Sequence, residues 1–260
     1  MDLQLNGREA LVIGGSSGIG LATAAALLRE GARVTIAARD AARLAAAAER
    51  LAAETGAIPE TARCDQADPS QVAALAARYE ERPLHALVCA AGGSHRSPFE
   101  ALTDAQWLAN YEFNILGTVR AVRAMLPALR RAGGARVVLL GAVSARQPTA
   151  HQVVSNTHKA GLLALAKTLS LELAPEGIGV NSVSPGRALT PLWQSRATTM
   201  AQDEGITEEA VLQRVAADIP MGRLAAPEEV AAMVAFLAAP VSAYVTGQAV
   251  AVDGGLQRGV

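Results

Sequence analysis

At 260 residues, with 51% hydrophobic and 18% charged side chains, the chain suits one large α/β domain with a sizeable core. A net charge of -1 without a basic cluster offers nothing to nucleic acid or an anionic membrane surface, so small molecules are the expected partners. The two cysteines, Cys64 and Cys89, match neither a zinc spacing nor a disulfide framework and point to a reducing compartment.

The N-terminus, Met1 to Arg8, lacks a charged segment followed by an apolar one, and no apolar run reaches membrane-spanning length. A cytoplasmic protein is the expectation. Short β-branched runs then alternate with alanine-rich helical stretches, the pattern of βαβ units in a parallel sheet. Strands are predicted at Ala10 to Ile13, Arg33 to Ala37, Pro59 to Cys64, Leu84 to Cys89, Arg136 to Leu140, Gly179 to Val183 and Ala249 to Val252. Helices between them place apolar residues at three- and four-residue spacing, and right-handed crossovers put them on both faces. The fold class is therefore α/β, a Rossmann-like doubly wound parallel sheet of about seven strands in three α/β/α layers. No linker or repeat divides residues 1–260, which read as one domain.

After the first strand, Gly14-Gly15-Ser16-Ser17-Gly18-Ile19-Gly20 opens a helix predicted over Leu21 to Glu30. Glycines let a chain turn tightly and press its backbone against a pyrophosphate at a helix N-terminus, whose free N–H groups and dipole favour anions. An ordinary glycine turn is the alternative. With strand, motif and helix in register, the G-x-x-x-G-x-G spacing resembles the short-chain dehydrogenase/reductase family, and the resemblance runs from about Leu5 to Leu256. It implies that Gly14, Ser16, Ser17, Gly18, Ile19 and Gly20 hold a nicotinamide dinucleotide. Ile13 stands where the family usually has a threonine.

The second strand ends in Ala37-Ala38-Arg39-Asp40. NAD-specific relatives place an acid at the strand end, here Ala38; Arg39 follows, where its guanidinium can pair with a ribose 2'-phosphate, so NADP(H) is favoured over NAD(H). A solvated charge at a helix start is the alternative for Arg39. The resemblance places Asp65 beside the adenine amino group. It also sets Ala91 and Gly92, in Cys89-Ala90-Ala91-Gly92, against the cofactor, where the family commonly has Asn-Asn-Ala-Gly.

In the family, carbonyl chemistry uses Asn, Ser, Tyr and Lys. Asn114, in Phe113-Asn114-Ile115-Leu116-Gly117, matches the asparagine, and Lys159, in Ser155-Asn156-Thr157-His158-Lys159-Ala160-Gly161, matches the lysine, which also binds the nicotinamide ribose. Four residues before Lys159, on the same helix face, stands Ser155 instead of tyrosine. Thirteen residues before Ser155, Ala142 stands instead of serine. An aliphatic hydroxyl, with a pKa near that of water, starts roughly 7 kcal/mol behind a phenol of pKa about 10 as a proton donor. Ser155 is thus no direct substitute. Dienoyl-CoA reductases within the family share Ser-x-x-x-Lys-Ala-Gly and Ala-Ala-Gly; there, charge builds on an enolate that hydrogen bonds can stabilise. They supply a tyrosine elsewhere, and none stands near Ser144. His95 and His151 are weighed as substrate contacts, His158 as a packing or interface residue, and Tyr111 as core.

Beyond the sixth strand, Pro185-Gly186-Arg187-Ala188-Leu189-Thr190 resembles the family's Pro-Gly-x-x-x-Thr, whose Pro185, Gly186 and Thr190 border the nicotinamide. Residues 187–218 lack strand periodicity and are the candidate substrate loop; Trp193, Met200, Ile206 and Val211 suit an apolar pocket or a helix packed on the sheet. The resemblance implies a homodimer or homotetramer built on helices at about Asp104 to Arg131 and Gln152 to Ala174. The reading that results is an NADP(H)-dependent oxidoreductase acting on a small carbonyl or conjugated enoyl compound, with Asn114, Ser155 and Lys159 as catalytic residues. A silent NADP(H)-binding sensor or oligomer partner, or a lyase or isomerase, is the alternative. No cysteine or histidine spacing suits a metal, so metal-dependent hydrolysis is set aside.

Overall fold

Strands β1 (Glu9–Ile13), β2 (Arg33–Ala38), β3 (Glu60–Arg63), β4 (Ala86–Cys89), β5 (Arg136–Leu140), β6 (Gly179–Pro185) and β7 (Ala249–Val252) form one parallel sheet in the order β3-β2-β1-β4-β5-β6-β7. The computed structural model describes residues 2–93 and 95–259; Met1, Ser94 and Val260 lie outside the described residues. The chain runs outward from β1 through β2 to β3, then returns across β1 to add β4 and the rest. That reversal leaves a crevice at the carboxyl ends of β1 and β4, where open α/β sheets bind ligands.

The central strands are apolar on both sides because helices cover both faces. Ala10 and Val12 of β1 face α1 (Gly18–Arg29), α2 (Ala41–Thr55) and α9 (Pro227–Ala238). Leu11 and Ile13 face the opposite layer, built from α3 (Pro69–Ala77), α5 (Gly117–Arg131) and α6 (Val153–Leu173). Residues of the central strands alternate between the two cores, so these strands are buried without being amphipathic, while the edge strands β3 and β7 are more exposed. Among the described residues, no helix is long and apolar enough to cross a membrane.

Several expected boundaries move. The first helix begins at Gly18 rather than Leu21, so the last glycines of the turn already belong to it. Strands β3 and β4 are shorter at their starts than predicted, and β6 runs on through Pro185. The helix expected over Asp104 to Arg131 is α4 (Asp104–Tyr111), a π-helical segment (Glu112–Leu116) and then α5. Residues 187–218 are not an irregular loop but mostly a helical pair, α7 (Pro191–Glu204) and α8 (Glu208–Ala217). Ala197, Ala201, Val211 and Val215 give the pair its own small core, with Trp193 and Met200 packed beside it. Ile206, between the two helices, is exposed.

Candidate active site

At the end of β1, Gly14 takes φ +88°, and a Cβ there would lie 2.4 Å from the Ala91 backbone nitrogen. The two strand-end turns meet backbone to backbone: the N–H groups of Ala90 and Ala91 both donate to the Ile13 carbonyl, at 2.8 and 2.9 Å. Gly20 is needed for the same reason, since its Cβ would fall 2.2 Å from the Gly14 oxygen. No side chain caps the N-terminus of α1 at Ser17, which leaves its first-turn N–H groups for an anion. Thr190, the residue before α7, brings its methyl within 3.2 Å of a Cβ placed on Gly18. Gly186 lies so close to Asp253 that a Cβ would sit 2.8 Å from its Cα. Together these contacts make a backbone-lined cradle along the carboxyl edge.

Just past the end of β2, the Arg39 guanidinium lies 5.3 Å from the Phe113 ring centroid. Arg63 donates from Nε to the Arg39 carbonyl at 3.3 Å, so β2 and β3 each end in an exposed cation. Neither has an acidic partner among the described residues; the neighbouring Asp40 turns to Arg43 and caps α2. Asp65 accepts a bond from the Ala67 N–H at 3.0 Å through one carboxylate oxygen.

Asn114 sits inside the π-helical segment and is 2% exposed. Its Nδ2 donates to the carbonyl and to Oδ1 of Asn110, both at 3.1 Å, while its Oδ1 accepts from the Gly93 N–H at 3.0 Å. His158 Nδ1 lies 2.6 Å from Asn110 Oδ1, and its ring meets Trp107 and Tyr111 edge-on. Because Asn110 Oδ1 already accepts, His158 Nδ1 carries the hydrogen. Burial and the Lys159 charge push the His158 pKa down. His158 is thus a packing residue within the chain, joining α6 to α4. Tyr111 is not core as expected: it is 44% exposed. A π-turn widens the helix locally and often marks a functional position; here it carries the buried asparagine that ties the Gly92-Gly93 turn down.

Lys159 is half-buried. Its Nζ donates to the Leu140 carbonyl at 2.9 Å, and burial pushes its pKa down from 10.5 to about 8. A Cβ on Gly92 would meet both Lys159 Nζ and Asn114 Oδ1 at 3.2 Å, so the three residues converge. Ser155 is 3% exposed, and its Oγ accepts from the His95 N–H at 3.0 Å, binding α6 to the loop after β4.

A cavity of about 430 Å³ opens over these groups. Of the residues singled out from sequence, Ile19, Gly92, Ser155, Lys159, Pro185, Gly186, Thr190 and Trp193 line it, as does Ala142. Asn114 lies behind that wall. Gly14, Ser16, Ser17, Gly18, Gly20, Arg39, Asp65 and Ala91 fall outside the lining. Neither His95 nor His151, nor any tyrosine, lines it among the described residues.

Residues 13–257 match the family model described as enoyl-(acyl carrier protein) reductase. The chain is 36% identical over 251 residues to a putative ketoacyl reductase of Streptomyces coelicolor, covering 95% of this chain and 96% of the relative. The chain belongs to the short-chain dehydrogenase/reductase family. Among solved family structures, L-sorbose reductase from Gluconobacter frateurii, complexed with NADPH and L-sorbose, superposes with a TM-score of 0.96 at 33% identity, covering 100% of both chains. An NADPH-bound short-chain oxidoreductase from Pseudomonas aeruginosa PAO1, described as containing an atypical catalytic center, superposes with a TM-score of 0.89 at 36% identity, covering 97% of this chain and 98% of that one.

In this short-chain dehydrogenase/reductase, several cavity-wall residues escape a reading of sequence alone. Arg96 comes from the loop after β4, Arg196 from α7, Ser144 from the turn after β5 and Gln152 from just before α6. Of these, Arg196 alone leaves a trace in the sequence, through its spacing from Trp193. The two stand three apart on a helix, so they share a face, and the Arg196 guanidinium lies 5.3 Å from the Trp193 ring centroid.

Proposed function

We propose that the protein is an NADP(H)-dependent oxidoreductase that reduces a small organic carbonyl or conjugated enoyl compound, with Lys159 as its proton donor. One observation carries this reading: a half-buried amine of pKa about 8 borders an open cavity that also meets the glycine turn at Ile19 and the Pro185-Gly186 turn. When bound, NADPH supplies hydride from C4 of its nicotinamide. The backbone cradle around Gly14, Gly20 and Gly186 fits such a dinucleotide, and the exposed, acid-free pair Arg39 and Arg63 fits its 2'-phosphate.

The residues of this chain then have separate tasks. Carbonyl reduction places negative charge on the substrate oxygen, and the Lys159 ammonium delivers a proton there, leaving a neutral amine that solvent reprotonates. In enoyl reduction the same ammonium steadies the enolate oxygen. An amine of pKa about 8 is mostly charged at neutral pH yet gives up its proton far more readily than an ordinary lysine. Ser155 presents its hydroxyl at the cavity wall and anchors the His95 backbone. Asn114 is a positioning residue, holding Gly93 so that Gly92 leaves room for Lys159. The description of the Pseudomonas relative's centre as atypical supports a site that works without the usual Ser and Tyr, whose places Ala142 and Ser155 take.

Two further expectations belong to this reading. The buried thiols of Cys64 and Cys89, pushed up to about 11 and about 12 chiefly by burial, are unreactive at neutral pH and suit a cytoplasmic enzyme. The α4–α5 and α6 helices form the surface on which two copies pair. The reading is tested by following NADPH oxidation with ketones, enoyl thioesters and quinones. Turnover that disappears in Lys159→Met, while NADPH still binds, is the expected result. Tight NADPH binding with no oxidation of any of the three classes would leave a sensor instead.

A further inference from the structure

Although the whole chain carries a net charge of -1, the cavity wall is strongly positive. Among the described residues its ionisable side chains are Arg96, Lys159, Arg187, Arg196 and Arg258, against the single acid Asp218. That acid is already taken: Asp218 pairs with Arg187 at 2.9 Å. Arg96 and Arg196 have no acidic partner among the described residues, although they come from separate elements, the loop after β4 and α7, and line the same cavity. Arg196 is half-buried, and both its burial and the nearby Arg96 charge disfavour its charged form.

Two guanidiniums held near each other without a counter-ion are costly to the empty protein. A bound anion removes the repulsion and satisfies the fork of donors on each group. Of the glycine turn only Ile19 lines this cavity, and Arg39 does not, so the phosphate-binding N–H groups and the 2'-phosphate site do not account for the pair. Trp193 adds a flat apolar wall beside Arg196, with Arg187 6.0 Å from the same ring centroid. The combination describes a substrate with an apolar body and an acidic group.

We propose that the substrate is an organic anion, a carbonyl or enoyl compound whose carboxylate or phosphate is bound between Arg96 and Arg196. This rests on the reading that the cavity admits the substrate of an oxidoreductase. A carboxylate belongs to a free oxo acid, whereas a phosphate belongs to the pantetheine arm of a thioester, and matched probes separate the two.

Calorimetric titration of the NADP⁺-saturated protein compares 4-oxopentanoate, 2-oxo-4-phenylbutanoate and 7-oxooctanoate with their ethyl esters, and acetoacetyl-phosphopantetheine with acetoacetyl-pantetheine. The charged member of at least one pair should bind at least tenfold tighter, equivalent to about 1.4 kcal/mol. Preference within the oxo-acid pairs assigns the carboxylate, and preference within the pantetheine pair assigns the phosphate. In Arg196→Gln and in Arg96→Gln the preference should fall below threefold, while Arg196→Lys retains part of it; NADPH binding and an unchanged Tm show that the variants are folded. Equal binding of both members in every pair, or a preference untouched by both glutamine variants, overturns the proposal. NADPH oxidation measured with the same compounds keeps the two readings apart. Anion preference without oxidation removes the redox reading alone, and oxidation without preference removes the anion site alone.

Discussion

The pKa of Lys159 should be visible in folding before any substrate is known. Burial lowers it from 10.5 to about 8, with no acidic partner among the described residues to compensate. Below about pH 8 the amine is protonated in folded and unfolded chains alike, and the fold carries the full cost of the buried charge. Between about 8 and 10.5 the folded chain releases its proton while the unfolded chain keeps it, so this group makes stability rise with pH. The gain should be about 2 kcal/mol between pH 7 and pH 9.5, of the roughly 3 kcal/mol corresponding to the whole shift. Lys159→Met keeps the aliphatic stem and removes the amine, so the variant lacks this rise. Thiols with raised pKa values act in the opposite direction, but they are common to both proteins and cancel in the comparison. Urea denaturation without nucleotide at the two pH values should therefore show the wild type gaining about 2 kcal/mol on the variant, with equal m-values. Parallel curves would mean that Lys159 titrates as an ordinary lysine. It would then be too weak an acid for the proposed role.

Arg39→Ala should weaken NADPH binding by ten- to a hundredfold, matching about 1.5–3 kcal/mol for charge-assisted bonds to a phosphate, and leave NADH nearly unaffected; fluorescence titration checks this, and equal losses would remove Arg39 from the 2'-phosphate. Gly14→Ala should abolish nucleotide binding and lower Tm, because the new methyl meets the Ala91 nitrogen at 2.4 Å on a backbone with φ +88°. Ser155→Tyr with Ala142→Ser should raise NADPH-dependent reduction of simple activated ketones at least tenfold, provided the phenol can displace the loop that Ser155 holds through His95; a folded, NADPH-binding double variant without that gain would contradict the placement of the reacting centre. Light scattering at micromolar concentration should give a dimer or larger assembly, and a monomer would refute pairing through α4–α5 and α6.

Much of the scaffold was legible because its signals are local. Five-residue apolar runs could be placed as strands to within about two residues, and the glycines of residues 14–20 announced a turn whose backbone contacts exclude a Cβ. The Ser155/Lys159 spacing likewise placed both side chains on one face of α6, and both line the cavity. Residues 187–218 were harder: the helices there pack mainly against each other, so their apolar positions do not follow the rhythm of a helix lying on the sheet. Tyr111 was misjudged as core because helical spacing shows which face a residue shares, not what covers that face.

The sequence by itself determined the parallel α/β scaffold, the glycine cradle, the basic end of β2 and the absence of tyrosine four residues before Lys159. Each depends on backbone limits or on neighbours within one turn or one strand. Only the tertiary structure decided the acidity of Lys159, because that follows from enclosure by β5, α6 and the turn after β4. It alone joined Arg63 to Arg39 and brought Arg96 within electrostatic reach of Arg196, 100 positions further along the chain. Charges interact through space, and folding sets the distances between them and the water left to screen them.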